Sequence, residues 1–259
     1  MRIVPISEAN RVKMEHTAGP AHRRDFVGQP GILNTDPQAF LVERTYPNPV
    51  IHPHFHDVDQ FQIFIGGDGR IGKTPVEAGT FQYSDAYTPY GPIVGNDDGV
   101  CFFTLRAIAS GGHWPMPGNR DKMPGRAGRY LAGTFDLTTT LSEEGRMERE
   151  ILLEEEDGLT VVGLKFGPNG TYPEKHGETG AAGGGYILVF SGSVKTQDTE
   201  LVTKSLVQFD ADEDIPAMSA SDEGANVLLV TFARPSDRPG SNPELMRERD
   251  PYTFGERAK

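Results

Sequence analysis

Hydrophobic residues in this chain come in short runs, separated by clusters of Gly, Pro, Asn and Asp. The clearest runs in the first half are Phe40-Leu41-Val42, Phe61-Gln62-Ile63-Phe64-Ile65, Thr80-Phe81-Gln82-Tyr83 and Val100 through Leu105. In the second half they are Leu159–Leu164, Tyr186–Phe190 and Val227–Phe232. Apolar or alternating runs of this length, closed by turn residues such as Gly66-Gly67-Asp68-Gly69, predict β-strands. Helical periodicity is sparse. Ser142 through Arg149 is expected to form a short helix, and the acidic run Glu150–Asp157 a charged strand edge or loop. The pattern predicts an all-β fold with few short helices.

The runs divide the chain. Residues 1–37 are polar and turn-rich and read as an N-terminal arm. Residues 38–108 form a first β unit. Residues 109–129, rich in Gly and Pro, read as an interdomain crossing, residues 130–234 as a second β unit, and residues 235–259 as a charged tail. Phe61–Gly67 and Tyr186–Gly192 are both a five-residue apolar strand followed by a turn, offset by 125 residues. A duplicated β-domain is the economical explanation.

Composition narrows the function classes. With 259 residues the chain is long enough for a full core. A net charge of −12, with Lys and Arg scattered, argues against a nucleic-acid partner. Cys101 is the only cysteine, so no intrachain disulfide forms, and its apolar neighbours predict a core thiol rather than a nucleophile. No apolar run approaches the ~18 residues of a membrane span, and the first residues lack a signal-peptide core, so a cytoplasmic protein is expected.

Candidate chemistry concentrates in His52-Pro53-His54-Phe55-His56-Asp57-Val58-Asp59-Gln60, which holds three of the seven histidines. On a strand, alternate side chains leave on one face. His52 and His56 would stand roughly 13 Å apart at about 3.3 Å per residue, too far to share one ion comfortably. An adjacent pair can converge on a metal. Asp57 and Asp59 read as surface turn residues, or as groups that orient a histidine. Gly180–Gly185 lacks the Lys-Ser/Thr of a phosphate loop. His113-Trp114 reads as a loop anchor.

His54-Phe55-His56, then Gln60, then Gly67 resemble the first motif of the cupins, with glutamine in place of the motif's glutamate and Asn48 in place of an earlier glycine. The resemblance implies two cupin barrels (double-stranded β-helix, jelly-roll) in tandem. It selects His54 and His56, with Gln60, as metal ligands for one divalent ion: Fe, Mn, Zn or Ni. The second motif's histidine position falls on Tyr90, or on Val94 in another register. Tyr90 is expected as ligand, proton donor or wall residue. His52 falls at the rim, as an acid/base or merely solvated. Gln62, Phe64 and Tyr83 are expected to line the substrate pocket.

In the second half, Thr179, Ala181 and Gly185 stand where the motif would be, so that unit is expected to be metal-free, and His176 reads as a surface loop residue. The resemblance further implies a homo-oligomer acting on a small oxygen-rich substrate (enol, carbonyl or diol), as a dioxygenase, isomerase or lyase. A non-catalytic small-molecule-binding cupin is the alternative.

Overall fold

The computed structural model describes residues 1–15, 18–30, 34, 36–124, 128–172 and 183–246. In chain order the strands are β1 (Arg2–Val4), β2 (Asn10–Lys13), β3 (Ala21–Val27), β4 (Gln38–Arg44), β5 (Val50–Ile51), β6 (His54–Phe55), β7 (Gln60–Ile71), β8 (Thr74–Val76), β9 (Thr80–Ser84), β10 (Ile93–Arg106), β11 (Trp114–Pro115) and β12 (Tyr130–Thr134). They continue as β13 (Met147–Glu154), β14 (Thr160–Phe166), β15 (Thr171–Tyr172), β16 (Gly185–Thr196), β17 (Thr199–Val202), β18 (Leu206–Phe209) and β19 (Met218–Thr231). Helix among the described residues is limited to 3-10 turns at Arg120–Lys122 and Pro243–Met246. None of it is long and apolar enough to cross a membrane.

The chain divides into two compact units, one made of Met1–Ala9 with Gly133–Arg234, the other of Asn10–Ala132 with Pro235–Lys259. The unit containing the histidine stretch is a nine-stranded sheet of order β12-β9-β7-β10-β4-β3-β2, with β5 on β10 and β8 on β7. The other is an eight-stranded sheet of order β1-β18-β16-β19-β14-β13, with β15 on β19 and β17 on β16.

Three segments differ from the sequence expectation. Residues 1–37 are not a loose arm: β1 pairs with β18, and β2 and β3 extend the nine-stranded sheet through β4. Their signal was hidden because β2 and β3 are held by ladder bonds and by ion pairs such as Arg24–Glu43 and Arg11–Glu43, not by apolar alternation. The expected helix at Ser142–Arg149 is absent. Met147 onward is β13, an exposed edge strand whose acidic side chains protect it from further pairing. Pro235–Gly240 belongs to the nine-stranded unit and is not a free tail.

The two units share one strand plan. β7 and β16 each have 12 residues, and β10 and β19 each have 14, both pairs offset by 125 positions. The registers follow: Gln62 pairs with Thr104 and Gln82, and Ile187 pairs with Leu229 and Val207. A shared constraint fixes the turn after each apolar strand. Gly67 and Gly192 both have φ of 68°, and a Cβ at either would stand 2.1 or 2.0 Å from the carbonyl oxygen of Gly99 or Gly224. Two backbones pass there with no room for a side chain.

Cys101, the chain's only cysteine, is buried, as its neighbours predict.

Gly67→Ala is expected to cost ~3 kcal/mol of stability, from strain and clash together. Gly72→Ala, whose φ is also positive but whose Cβ meets nothing nearer than 3.6 Å, is expected to cost about 1 kcal/mol. Urea unfolding of both variants checks the difference, and equal losses would contradict the close approach.

Candidate functional site

Three short segments position the histidines. β6 pairs with Tyr90 through two backbone bonds, His54 N–H to Tyr90 O at 3.2 Å and Tyr90 N–H to His54 O at 3.1 Å. On its other side β6 pairs with β11, Trp114 opposite Phe55 and Pro115 opposite His54. The Trp114 and Phe55 rings stack at 5.5 Å, 6° from parallel. His113, next to Trp114, therefore joins the histidine side. Its ring centroid lies 4.1 Å from that of His54 and 5.8 Å from that of His56, while His54 and His56 are 5.1 Å apart. The segment 109–129, expected as a crossing, thus supplies a third imidazole to the site. The sequence signal was the His113-Trp114 pair itself, but nothing local showed that it would pair with β6.

Parity on the sheet gathers the remaining groups. Gln60, Gln62 and Phe64 of β7 share a face with Ser84, Gln82 and Thr80 of β9, with Arg106, Thr104 and Phe102 of β10, and with Gln38, Phe40 and Val42 of β4. One end of this face is apolar, with Phe64 packed among Val42, Tyr90, Ile93 and Phe102. The other end is polar and buried: Gln38, Gln60, Gln62, Gln82, Thr104 and Arg106 are each at most 4% exposed.

Those polar groups form one directed network. The Arg106 guanidinium donates to Gln60 Oε1 at 3.1 and 3.2 Å, and also to Gln38 Oε1. Gln60 Nε2 donates to the Tyr90 hydroxyl at 2.6 Å, and Gln62, whose Oε1 accepts from Gln82 Nε2, donates to it through Nε2 at 3.3 Å. With two donors on its oxygen, the Tyr90 O–H points to His54 Nε2 at 2.8 Å. That requires the proton of His54 on Nδ1, where it reaches the His52 carbonyl at 2.7 Å. His56 is held the same way, its Nδ1 donating to the Gly112 carbonyl. Gln82 Oε1 is buried and has no hydrogen-bond partner among the described residues.

Burial keeps these groups neutral. Desolvation, then His113 and Arg106, lower the His54 pKa to about 3, against a backbone bond to His52 that raises it. Desolvation and then Arg106 hold His56 well below the ordinary imidazole range. Burial holds the Tyr90 phenol well above its usual value, outweighing Arg106 and Gln60.

The expectations for Tyr83 and for the two aspartates change. Tyr83 does not join the pocket wall. It pairs with Phe61 on the opposite face, its ring 5.0 Å from that of Phe61, because its parity is odd relative to Gln82. Val94 pairs with Val50 and Arg70 within β10, so Tyr90 is the residue that meets His54. Asp57 and Asp59 are not surface residues. Asp57 accepts from Ser110 Oγ and Gly111 N–H, both at 2.9 Å. Asp59 takes a two-pronged bond from Arg238 at 2.8 and 2.9 Å, and Asp85 binds the same guanidinium at 2.6 Å. His52 is exposed, and its carbonyl rather than its ring serves the site. His176, Thr179 and Ala181 lie outside the described residues, while Gly185 opens β16 at the position of Gln60.

The predicted ligand set does not fit a divalent cation. His54 and His56 have the right tautomer for ligation through Nε2, but the His54 lone pair already accepts the Tyr90 proton. Gln60 presents its N–H to the site, its oxygen being turned to Arg106. A cation would have that guanidinium as a near neighbour. Among the described residues no group of three or more His, Cys, Asp or Glu is placed to hold one metal ion.

No protein-family model matches the sequence, and no curated protein matches it. Solved structures do match in fold. A Nostoc punctiforme protein, whose dioxygenase assignment is itself provisional, superposes with a TM-score of 0.59 at 12% identity, over 89% of this chain and 79% of its own. The Escherichia coli pirin YhhW in complex with nickel(II) gives 0.55 at 14% identity, over 90% and 98%. A Lactobacillus farciminis oxalate decarboxylase in complex with formate gives 0.56 at 11% identity, over 91% and 87%. At such identities the likeness establishes the fold: a β-sheet architecture of cupin type, with little helix.

The unfolded chain's imidazole titrates near 6.5 and folded His54 near 3. Between these values the unfolded state binds a proton that the folded state excludes. The stability contribution is therefore complete above the unfolded value and falls as pH drops through the interval. Between about pH 7.5 and about pH 5.5 the loss from His54 is on the order of 1 kcal/mol. Urea unfolding at the two pH values should show a His54→Gln variant losing less than wild type by that amount. Identical losses would mean that His54 is not held neutral.

Proposed function

We propose that the nine-stranded unit is a small-molecule-binding cupin site for an oxygen-rich ligand, lined by His54, His56, His113, Tyr90 and the Gln60–Gln62–Gln82–Arg106 row. One observation carries this reading. At the matching positions of the other unit, Ile187, Val207 and Leu229 replace Gln62, Gln82 and Thr104, and all are buried in its hydrophobic core. The strand plan therefore tolerates an apolar row. Burying amides there costs desolvation without adding to the hydrophobic core. Nothing in the fold requires the polar row, and a ligand to be recognised is a reason to keep it.

A metal-dependent enzyme of dioxygenase, isomerase or lyase type is the second reading. It is favoured by the Nδ1 bonds of His54 and His56, which leave both Nε2 atoms as the ligating nitrogens. In that reading His54 and His56 would hold the ion. Gln60 and Tyr90 would have to leave the network described above before either could join them.

The double variant Gln62→Ile, Gln82→Val installs the other unit's residues. Its stability is expected to stay within about 1 kcal/mol of wild type, or to rise. Thermal-shift screening against small acids, diols and enols should give ligands that stabilise wild type but not the double variant. A screen in which no small molecule stabilises wild type would overturn the binding reading. Elemental analysis of the gently purified protein tests the second reading: stoichiometric metal that disappears in His54→Ala establishes it, and metal-free protein after exposure to excess Fe, Mn, Zn and Ni removes it.

A further inference from the structure

We infer that residues 235–241 form a strap of the candidate site and that Arg238 is its positioning residue, an assignment that rests on the reading of this face as a binding site. Through Asp59 and Asp85, Arg238 sets the path of the turn that carries His56 and Gln60.

The strap comes from a distant part of the chain. β19 and the residues up to Arg234 belong to the eight-stranded unit, and Pro235 onward belongs to the nine-stranded unit. Pro235, Ser236 and Asp237 are exposed, whereas Gly240 and Ser241 are buried. The strap folds on itself: Ser241 donates to the Arg238 carbonyl through its N–H at 3.2 Å and through Oγ at 2.8 Å. Arg238 then bonds Asp59 with two nitrogens, at 2.8 and 2.9 Å, and reaches Asp85 at 2.6 Å. Asp59 also accepts from the Ala86 N–H at 2.8 Å, and Asp85 takes the Arg129 backbone N–H at 2.8 Å and its guanidinium at 3.2 Å. One guanidinium therefore joins two stretches of chain, residues 57–59 and residues 85–86.

Both stretches border the site. Asp59 precedes Gln60, whose Oε1 faces Arg106. Asp57 accepts from Ser110 and Gly111, beside the Gly112 carbonyl that anchors His56. Tyr87, the residue after Ala86, donates its N–H to the His56 carbonyl at 2.6 Å. The strap's backbone bears on the same two stretches, since a Cβ at Gly240 would overlap the Asp57 carbonyl oxygen and the Ala86 methyl. Stability alone does not call for charges here, because a buried ion pair often gains little over apolar residues of similar volume. A two-pronged guanidinium–carboxylate contact adds direction.

Trp114, the chain's only tryptophan, reports on the site without a ligand. It stacks on Phe55, which stands between His54 and His56, and it follows the Ser110–Gly111 segment that Asp57 holds. The test measures Trp114 emission and acrylamide quenching in the folded state of Arg238→Gln and Arg238→Lys, with urea unfolding alongside. Arg146→Gln, which breaks exposed ion pairs to Glu143 and Glu148 in the other unit, is the control and should match wild type. Arg238→Gln should shift the emission to longer wavelength and raise quenching. Arg238→Lys, which keeps the charge but not the fork, should fall between. Any small acid, diol or enol that stabilises wild type in a thermal shift should stabilise Arg238→Gln less. A lowered urea midpoint with wild-type Trp114 signals in the folded state overturns the assignment, because Arg238 would then be a stabilising contact only. Should Arg238→Gln fail to fold, Asp59→Asn combined with Arg238→Gln removes one charge of each sign and decides by the same signals. Failure of the binding reading shows separately, as an empty screen on wild type, and does not alter what Trp114 reports.

Discussion

The hydrogen bond from the Tyr90 hydroxyl to His54 Nε2 is the constraint on which the site depends. Tyr90 receives two amide donors from Gln60 and Gln62, so its single proton can go only to the histidine. That choice fixes the His54 tautomer, which directs Nδ1–H to the His52 carbonyl. It also fixes Gln60, whose oxygen then faces Arg106. A chain of donors running from a buried cation to a backbone carbonyl polarises each member, and removing one leaves a buried neighbour unsatisfied. The same bond changes the chemistry that the motif suggests. Where the cupin pattern offers an acidic ligand and a third histidine, this chain has a neutral amide backed by a guanidinium, and a phenol that keeps its proton.

The turn between the histidines and Gln60 is built to hold those directions. Asp57 reaches Ser110 and Gly111, which lie beside the carbonyl that anchors His56. Asp59 is clamped by Arg238, which also binds Asp85. Two carboxylates from one turn thus tie the site to residues about 50 and about 180 positions later. Buried ion pairs of this kind contribute little net stability, but breaking one leaves an uncompensated charge, so they specify a single arrangement of the turn.

The two units provide an internal comparison. Their long strands match in length and register at a constant offset, and their turn glycines make the same close approach. What differs is one row of side chains: amides, Thr104 and Arg106 in one unit, aliphatic residues and Thr231 in the other. The same backbone plan therefore carries a polar network in one case and a dry core in the other.

The sequence by itself determined the β class and the positions of the main strands, because alternation and turn residues act within a few positions; only the family resemblance suggested Gln60 and Tyr90 beside His54. It left the polar strands of residues 2–27 unread, since their stability comes from ladder bonds and ion pairs with distant strands. It could not place Tyr83, whose face depends on register, nor see that Asp57 and Asp59 are buried. Only the tertiary structure brought His113, Ser110 and Arg238 to the turn, turned Gln60 toward Arg106, and decided that the Tyr90 proton occupies the lone pair a metal would need. Those outcomes depend on contacts between segments far apart in the chain, and no local spacing encodes the distance between them.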